Sequence, residues 1–143
     1  MTITRPAVAA DAQAIAALSG QLGYPATEPE IRVRLESLAA RGDTAVFVAE
    51  VDGRVVGWAG VRADVSLESG PFAELVGLVV DEASRGQGVG ETLVLAAESW
   101  AREQGRTRIR VRSNVVRERA HRFYERLGYR ERKRQTVFEK QLW

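Results

Sequence analysis

The sequence predicts an α/β fold in which one mixed central sheet carries helices on both faces. Three observations predict it: an Asp52-Gly53 hairpin between two valine-rich runs, a buried-looking run that enters a glycine-rich loop, and helical periodicities before and after these strands. A hairpin makes neighbours antiparallel, whereas helix crossovers bring parallel ones, so the sheet is mixed.

Thr2 to Arg5 reads as a short extended start. Val8, Ile15, Leu18 and Leu22 then follow helical spacing, with Asp11 near the positive end, and Gly20 and Gly23-Tyr24-Pro25 stop the helix. Thr27 with Glu30 forms a capping-box pattern for a second helix, whose face is Ile31, Leu35 and Leu38 and which runs up to Gly42. Ala45 to Val51 and Arg54 to Arg62 read as antiparallel strands, because a type I′ turn needs positive φ at both central residues and Asp-Gly supplies it. A polar loop, Asp64 to Gly70, leads to a strand over Phe72 to Val80. A third helix carries Val89, Leu93, Ala97 and Trp100 to about Gly105, and Ile109 and Val111 alternate with arginines in a strand. Val116, Ala120, Phe123 and Leu127 face one side of a fourth helix, stopped at Gly128; a short strand at Tyr129 and a last one over Thr136 to Lys140 complete the order β-α-α-β-β-β-α-β-α-β. Trp58 and Trp100 follow these periodicities as core residues.

The 143 residues suit a single domain, 1–143, and their 45% hydrophobic and 28% charged composition excludes a disordered or collagen-like chain. No run reaches the ~20 apolar residues of a membrane helix, and the start is too polar for a signal peptide, so the expectation is cytoplasmic with no membrane partner. The absence of cysteine excludes an acyl-cysteine intermediate and thiolate metal ligands; with one histidine, His121, a multi-histidine metal site is excluded too. No metal is expected. Residues 102 to 134 hold 13 Arg plus Lys against 4 Glu, or +9, which leaves −7 elsewhere. Two readings stand: a basic segment that meets a polyanion, with an acidic remainder that meets a cation, or ordinary solvated charge.

A strand that feeds glycines 86, 88 and 90 and then a helix directs backbone N–H groups and the positive helix end at one point, which suits a phosphate. Glu91 and Thr92 follow the last glycine where a P-loop needs Lys and Ser or Thr, so nucleoside triphosphate use is not expected. Glu91 also replaces the third glycine of a dinucleotide fingerprint, and arginines 108, 110 and 112 stand where that fingerprint has its acid.

Arg85-Gly86-Gln87-Gly88-Val89-Gly90, after Leu78-Val79-Val80-Asp81, resembles the Arg/Gln-x-x-Gly-x-Gly/Ala signature of the GNAT superfamily of N-acetyltransferases. Glu74-Leu75-x-x-Leu78-x-Val80 resembles the strand before that signature, and Ala120-His121-Arg122-Phe123-Tyr124-Glu125-Arg126-Leu127-Gly128-Tyr129 resembles the family's later helix motif. The element order agrees along the whole chain. The resemblance implies a GNAT-like, predominantly antiparallel mixed sheet and transfer of an acetyl group from acetyl-CoA directly to a primary amine of a small substrate.

It further implies that Arg85, Gly86, Gln87, Gly88, Val89 and Gly90 hold the coenzyme A pyrophosphate, and that Leu78, Val79 and Val80 offer backbone to the pantetheine arm. Tyr124 is implied as the acid that protonates the leaving thiolate, since a phenol of ordinary pKa ~10 is protonated at neutral pH. Glu74 has two readings, a base near the substrate amine or a strand-end carboxylate. Arg117 stands where the family often has an asparagine; Asn114 or Ser113 takes that contact or caps the fourth helix, and Arg117 meets coenzyme A phosphates or solvent. Tyr24 is a candidate for the acceptor pocket. His121 reads as a surface residue. Acidic residues Glu28, Glu30, Asp64, Glu68 and Glu74 favour a cationic substrate such as an aminoglycoside, polyamine or amino-acid derivative, and the family's habit of pairing adds a homodimer. The rival readings are a catalytically silent acyl-CoA sensor and a nucleic-acid-binding module that uses the basic segment; no nucleic-acid partner is expected.

Overall fold

The computed structural model describes residues 1–113 and 118–143, which fall into two compact units, Met1–Val111 and Arg112–Trp143. The first unit holds β1 (Thr2–Pro6), α1 (Ala12–Leu22), α2 (Glu28–Ala39), β2 (Thr44–Val51), β3 (Arg54–Ser66), β4 (Gly70–Val80), α3 (Val89–Glu103) and β5 (Ile109–Val111). The strands lie side by side in chain order; the first three pairings are antiparallel, and β4 with β5 is parallel.

Local chemistry explains most boundaries. Asp52 and Gly53 take φ of 52° and 78°, the type I′ geometry that lets β2 and β3 twist together. Thr27 accepts the Glu30 N–H while Glu30 accepts the Thr27 N–H at 2.9 Å, so the capping box forms. At the end of α1, Gly23 is left-handed and the Tyr24 N–H donates to the Ser19 carbonyl at 3.1 Å, which satisfies an otherwise orphan acceptor.

Alternation along β3 assigns the two faces of the sheet. A Cβ on Gly57 would meet Leu93 and Val89 of α3, so from Gly57 onward the odd-numbered face of β3 lies under that helix. There Leu93, Val94, Val89 and Val61 are fully buried, and each such side chain is worth roughly 1.5–3 kcal/mol of burial. On the opposite face Trp58 packs with Leu35 of α2 against Ala12, Ile15, Ile31 and Val48. The expected coverage of both faces is therefore present.

One expectation for this unit's hairpin needs correction. The polar segment Asp64 to Gly70 is not a loop: β3 continues to Ser66, β4 starts at Gly70, and only Leu67–Ser69 turns. Polar side chains at 64 and 66 suit ladder positions, and cross-strand pairing from Asp64↔Phe72 to Ser66↔Gly70 outweighs their loop-like composition. Part of the basic segment is consumed here. Arg106 Nε donates to the Asp64 and Phe72 carbonyls at 3.3 Å, and Arg108 to the Ser69 and Pro71 carbonyls, so both guanidinium groups clamp the hairpin end.

Arg5 grips Asp11 in a two-pronged bond of 2.8 Å per arm and reaches Glu50 with Nε at 2.8 Å. The Arg5 guanidinium holds the buried Asp11 carboxyl below the ordinary carboxylate range, helped by the Val8 N–H. This contribution is complete above about pH 4 and is lost as pH falls through the lowered value. Asp11→Ala should cost about 2–3 kcal/mol at pH 7 and make the urea midpoint less acid-sensitive below pH ~4.

The second unit contains α4 (Glu118–Arg126), and Gly128 ends it with φ of 94°. The start expected at Val116 lies outside the described residues. The short strand expected at Tyr129 and the last one over Thr136 to Lys140 do not form among the described residues. Val137 and Phe138 are 85% and 90% exposed, and β-branched and aromatic composition makes a strand only where a ladder partner exists.

Candidate functional site

β4 leaves the sheet at Val80 and enters a single 3-10 turn, Glu82–Ser84, capped by Asp81, whose carboxylate accepts the Ala83 N–H at 3.2 Å. That N–H, with Gln21 and Arg54, holds the Asp81 carboxyl below its ordinary range. Arg54, just past the hairpin turn, donates to Asp81 at 2.9 Å, and Gln21 Oε1 in the last turn of α1 accepts the Glu82 N–H at 3.1 Å. Two other elements thus fix the base of the glycine loop.

Beyond it, Gly86 and Gly88 adopt φ of 81° and 80°, a region that costs other residues about 1–2 kcal/mol. A Cβ on either would meet nothing within 4 Å, so both face open space. Gly88 is the N-cap of α3, whose first-turn N–H groups lack intrahelical acceptors and whose positive end adds to them. Arg85 is exposed at the loop entrance. The arrangement has the chemistry of an anion cradle, and the residues present fit the pyrophosphate of coenzyme A.

Among the described residues, only part of the strand before the glycine loop has a ladder partner on its β5 side. β5 pairs only with Ala73–Leu75 of β4, so among the described residues no strand continues that ladder along Val76–Val80. The β3–β4 register slips between Gly60 and Val61, which leaves Val76 as the extra residue of a bulge at the point where β5 departs. The backbone groups of Val76–Val80 that do not face β3 have no strand partner among the described residues, an edge of the kind with which an extended, amide-bearing ligand pairs.

Glu74 is the fifth residue of β4 rather than its start, and it is only 6% exposed. Arg62, directly across on β3, donates from Nη2 to Glu74 Oε2 at 3.3 Å, and its Nε lies 3.3 Å from Asp64. The carboxylate is therefore an ion-paired, oriented group. Arg110 is the β5 residue paired with Glu74 and lays its guanidinium 4.1 Å over the Phe72 ring.

In the second unit, the Tyr124 ring makes edge contacts with Phe123 at 5.2 Å and Tyr129 at 5.7 Å. The Tyr129 N–H donates to the Tyr124 carbonyl and the Gly128 N–H to that of Glu125, so the glycine stop at 128 also fixes the turn that carries the tyrosine. Burial pushes the Tyr124 phenol above its ordinary value, and it stays protonated through the neutral range.

The structure joins Glu74, Leu78, Val79, Val80 and Arg85 to Gly90 along one continuous strand, loop and helix start. Tyr24 follows the α1 turn that holds Gln21 and is 68% exposed. Asn114 and Arg117 lie outside the described residues. The sequence reading did not single out Gln21, Arg54, Asp81, Arg62 or Gly77. Of these, Gly77 carried a signal, because glycine inside an otherwise valine-rich strand marks a bulge or a close approach.

Residues 13–129 match the acetyltransferase (GNAT) family. The chain is 34% identical over 144 residues to an aminoglycoside N(6')-acetyltransferase type 1 of Stenotrophomonas maltophilia, covering 96% of this chain and 92% of that protein. It is 31% identical over 111 residues to an enzyme of the same name from Serratia marcescens, across 75% and 76% of the two chains. Among solved structures, an aminoglycoside N-acetyltransferase in complex with CoA superposes with a TM-score of 0.87 at 21% identity, over 98% of this chain and 95% of that one. By this match over most of its length and these relatives, the chain belongs to the GNAT family as an acetyl-CoA-dependent N-acetyltransferase.

Proposed function

We propose that the chain acetylates a primary amine on a small polycationic molecule of the aminoglycoside kind. The observation that carries this reading is the similarity, over 96% of the chain, to an aminoglycoside N(6')-acetyltransferase. The acidic residues support it less than their number suggested. Glu28 and Glu30 serve Arg32 and the Thr27 cap, and Asp64 and Glu74 share Arg62.

In this proposal the Gly86–Gly90 backbone and Arg85 bind the pyrophosphate, and Leu78, Val79 and Val80 hydrogen-bond the pantetheine amides. Bound there, acetyl-CoA supplies an activated carbonyl. A backbone N–H near Val79 stabilises the oxyanion as the neutral amine nitrogen bonds to that carbon. The carbon–sulfur bond then breaks, Tyr124 gives its proton to the thiolate, and the proton that the attacking nitrogen sheds as the amide forms returns through solvent to the tyrosinate. Glu74, directly or through water, accepts the proton that the ammonium must lose before attack. The chain has no cysteine, so no acyl-cysteine forms, and in this proposal the acyl group passes directly to the amine. The proposal also treats the chain as one domain of this family, cytoplasmic and pairing as a homodimer; light scattering tests the last point.

The acceptor class is tested by initial rates of thiol release from acetyl-CoA with a panel of amines. Polycationic aminoglycosides or polyamines should give kcat/KM roughly 100-fold above neutral or anionic amines, a discrimination of about 2.7 kcal/mol. Turnover confined to neutral or anionic amines would sink the reading.

A further inference from the structure

We propose that Trp58 limits the length of the acyl group that can be transferred; this rests on the activity proposed above. Trp58 lies on the same sheet face as Gly60, Arg62, Glu74, Gly77 and Val79, opposite α3. Its six-membered ring leans from β3 across β4. A Cβ on Gly77 would fall 2.6 Å from Trp58 Cη2 and 2.7 Å from Cζ3, inside contact distance, so the indole rests on the Gly77 backbone itself. Gly77 stands within the Val76–Val80 edge that β5 leaves open.

A thioester held along Leu78–Val80 has few directions for extra carbons. The α3 face is closed: a Cβ on Gly57 would already be 2.8 Å from the Val79 carbonyl oxygen and 3.0 Å from Leu93, and Val89 and Leu93 are fully buried. Out of the sheet plane, the other direction that the described residues of the first unit leave is the face of Trp58. The ring cannot easily yield there, because it packs on the cluster of Ala12, Ile15, Ile31 and Val48 and close-packed interiors resist displacement. A two-carbon acyl group fits in front of such a wall, whereas each further methylene collides with it. A methylene that a pocket cannot accommodate is worth about 10–200-fold in kcat/KM.

The test measures kcat/KM for acetyl-, propionyl- and butyryl-CoA with one accepted amine, in the parent, Trp58→Phe and Trp58→Leu, with thermal melts of all three. The parent should use butyryl-CoA at least ~100-fold less well than acetyl-CoA. Trp58→Leu should raise the butyryl-to-acetyl ratio at least ~10-fold, and the smaller ring of Trp58→Phe should raise mainly the propionyl ratio. Equal use of all three thioesters by the parent, or unchanged ratios in a folded variant, would overturn the proposal. If Trp58→Leu does not fold, the propionyl ratio of Trp58→Phe decides it. A parent that transfers no acyl group to any amine defeats the underlying activity, whereas normal acetyl transfer with unchanged ratios defeats only the wall.

Discussion

Gly88→Glu should raise the Kd for acetyl-CoA at least ~100-fold while leaving the protein folded. Gly88 sits at φ of 80° and a Cβ there meets nothing within 4 Å, so the main cost to the fold is the left-handed strain, about 1–2 kcal/mol. That corresponds to a fall in Tm of roughly 3–8 °C. The carboxylate, however, takes the place where α3 presents its free N–H groups, and it repels the pyrophosphate that would otherwise lie there. Gly88→Ala separates the two effects, because it carries the same strain without charge or bulk and should weaken binding far less. Calorimetric titration of the three proteins reads the difference; equal affinities would remove the loop from the binding site.

Tyr124→Phe should lower kcat by about 10²–10⁴-fold with little change in the Kd for acetyl-CoA, because it removes a proton and almost no surface. Since burial raises the Tyr124 value, the group remains a competent acid up to at least its ordinary pKa of ~10, and any basic limb it causes falls above that pH. The folded value lies above the unfolded one, so the associated stability is complete below pH ~10 and is lost as pH rises through the folded value. Tyr124→Phe should therefore weaken the alkaline fall in stability as well as remove the proton donor. A kcat within about threefold of the parent would end the assignment, since general acid catalysis is worth far more.

What could be read from the sequence was whatever short-range chemistry determines. The Asp52-Gly53 turn, the Thr27–Glu30 box and the stops at Gly23 and Gly128 involve residues at most five positions apart, and all took the expected form. The strand, glycine loop and helix start were legible for the same reason, since they fall within about a dozen residues. The missing pieces are long-range. Arg106 and Arg108 bond carbonyls about 34 to 42 positions away, which a charge count cannot distinguish from a phosphate-binding patch. The Glu74–Arg62 pair and the rest of Trp58 on Gly77 depend on the β3–β4 register, and the single extra residue at Val76 shifts that register. The last expected strand failed because strand propensity at Val137 and Phe138 does not supply a ladder partner.

The central claim, acetyl transfer from acetyl-CoA to a small cationic amine, is tested most directly by the initial rate of thiol release from acetyl-CoA with and without an aminoglycoside, with product identified by mass spectrometry. The expected result is release that depends on the amine and yields one N-acetylated product per thiol. A folded protein whose thiol release is the same with and without every amine in the panel, and which forms no acetylated amine, would contradict it.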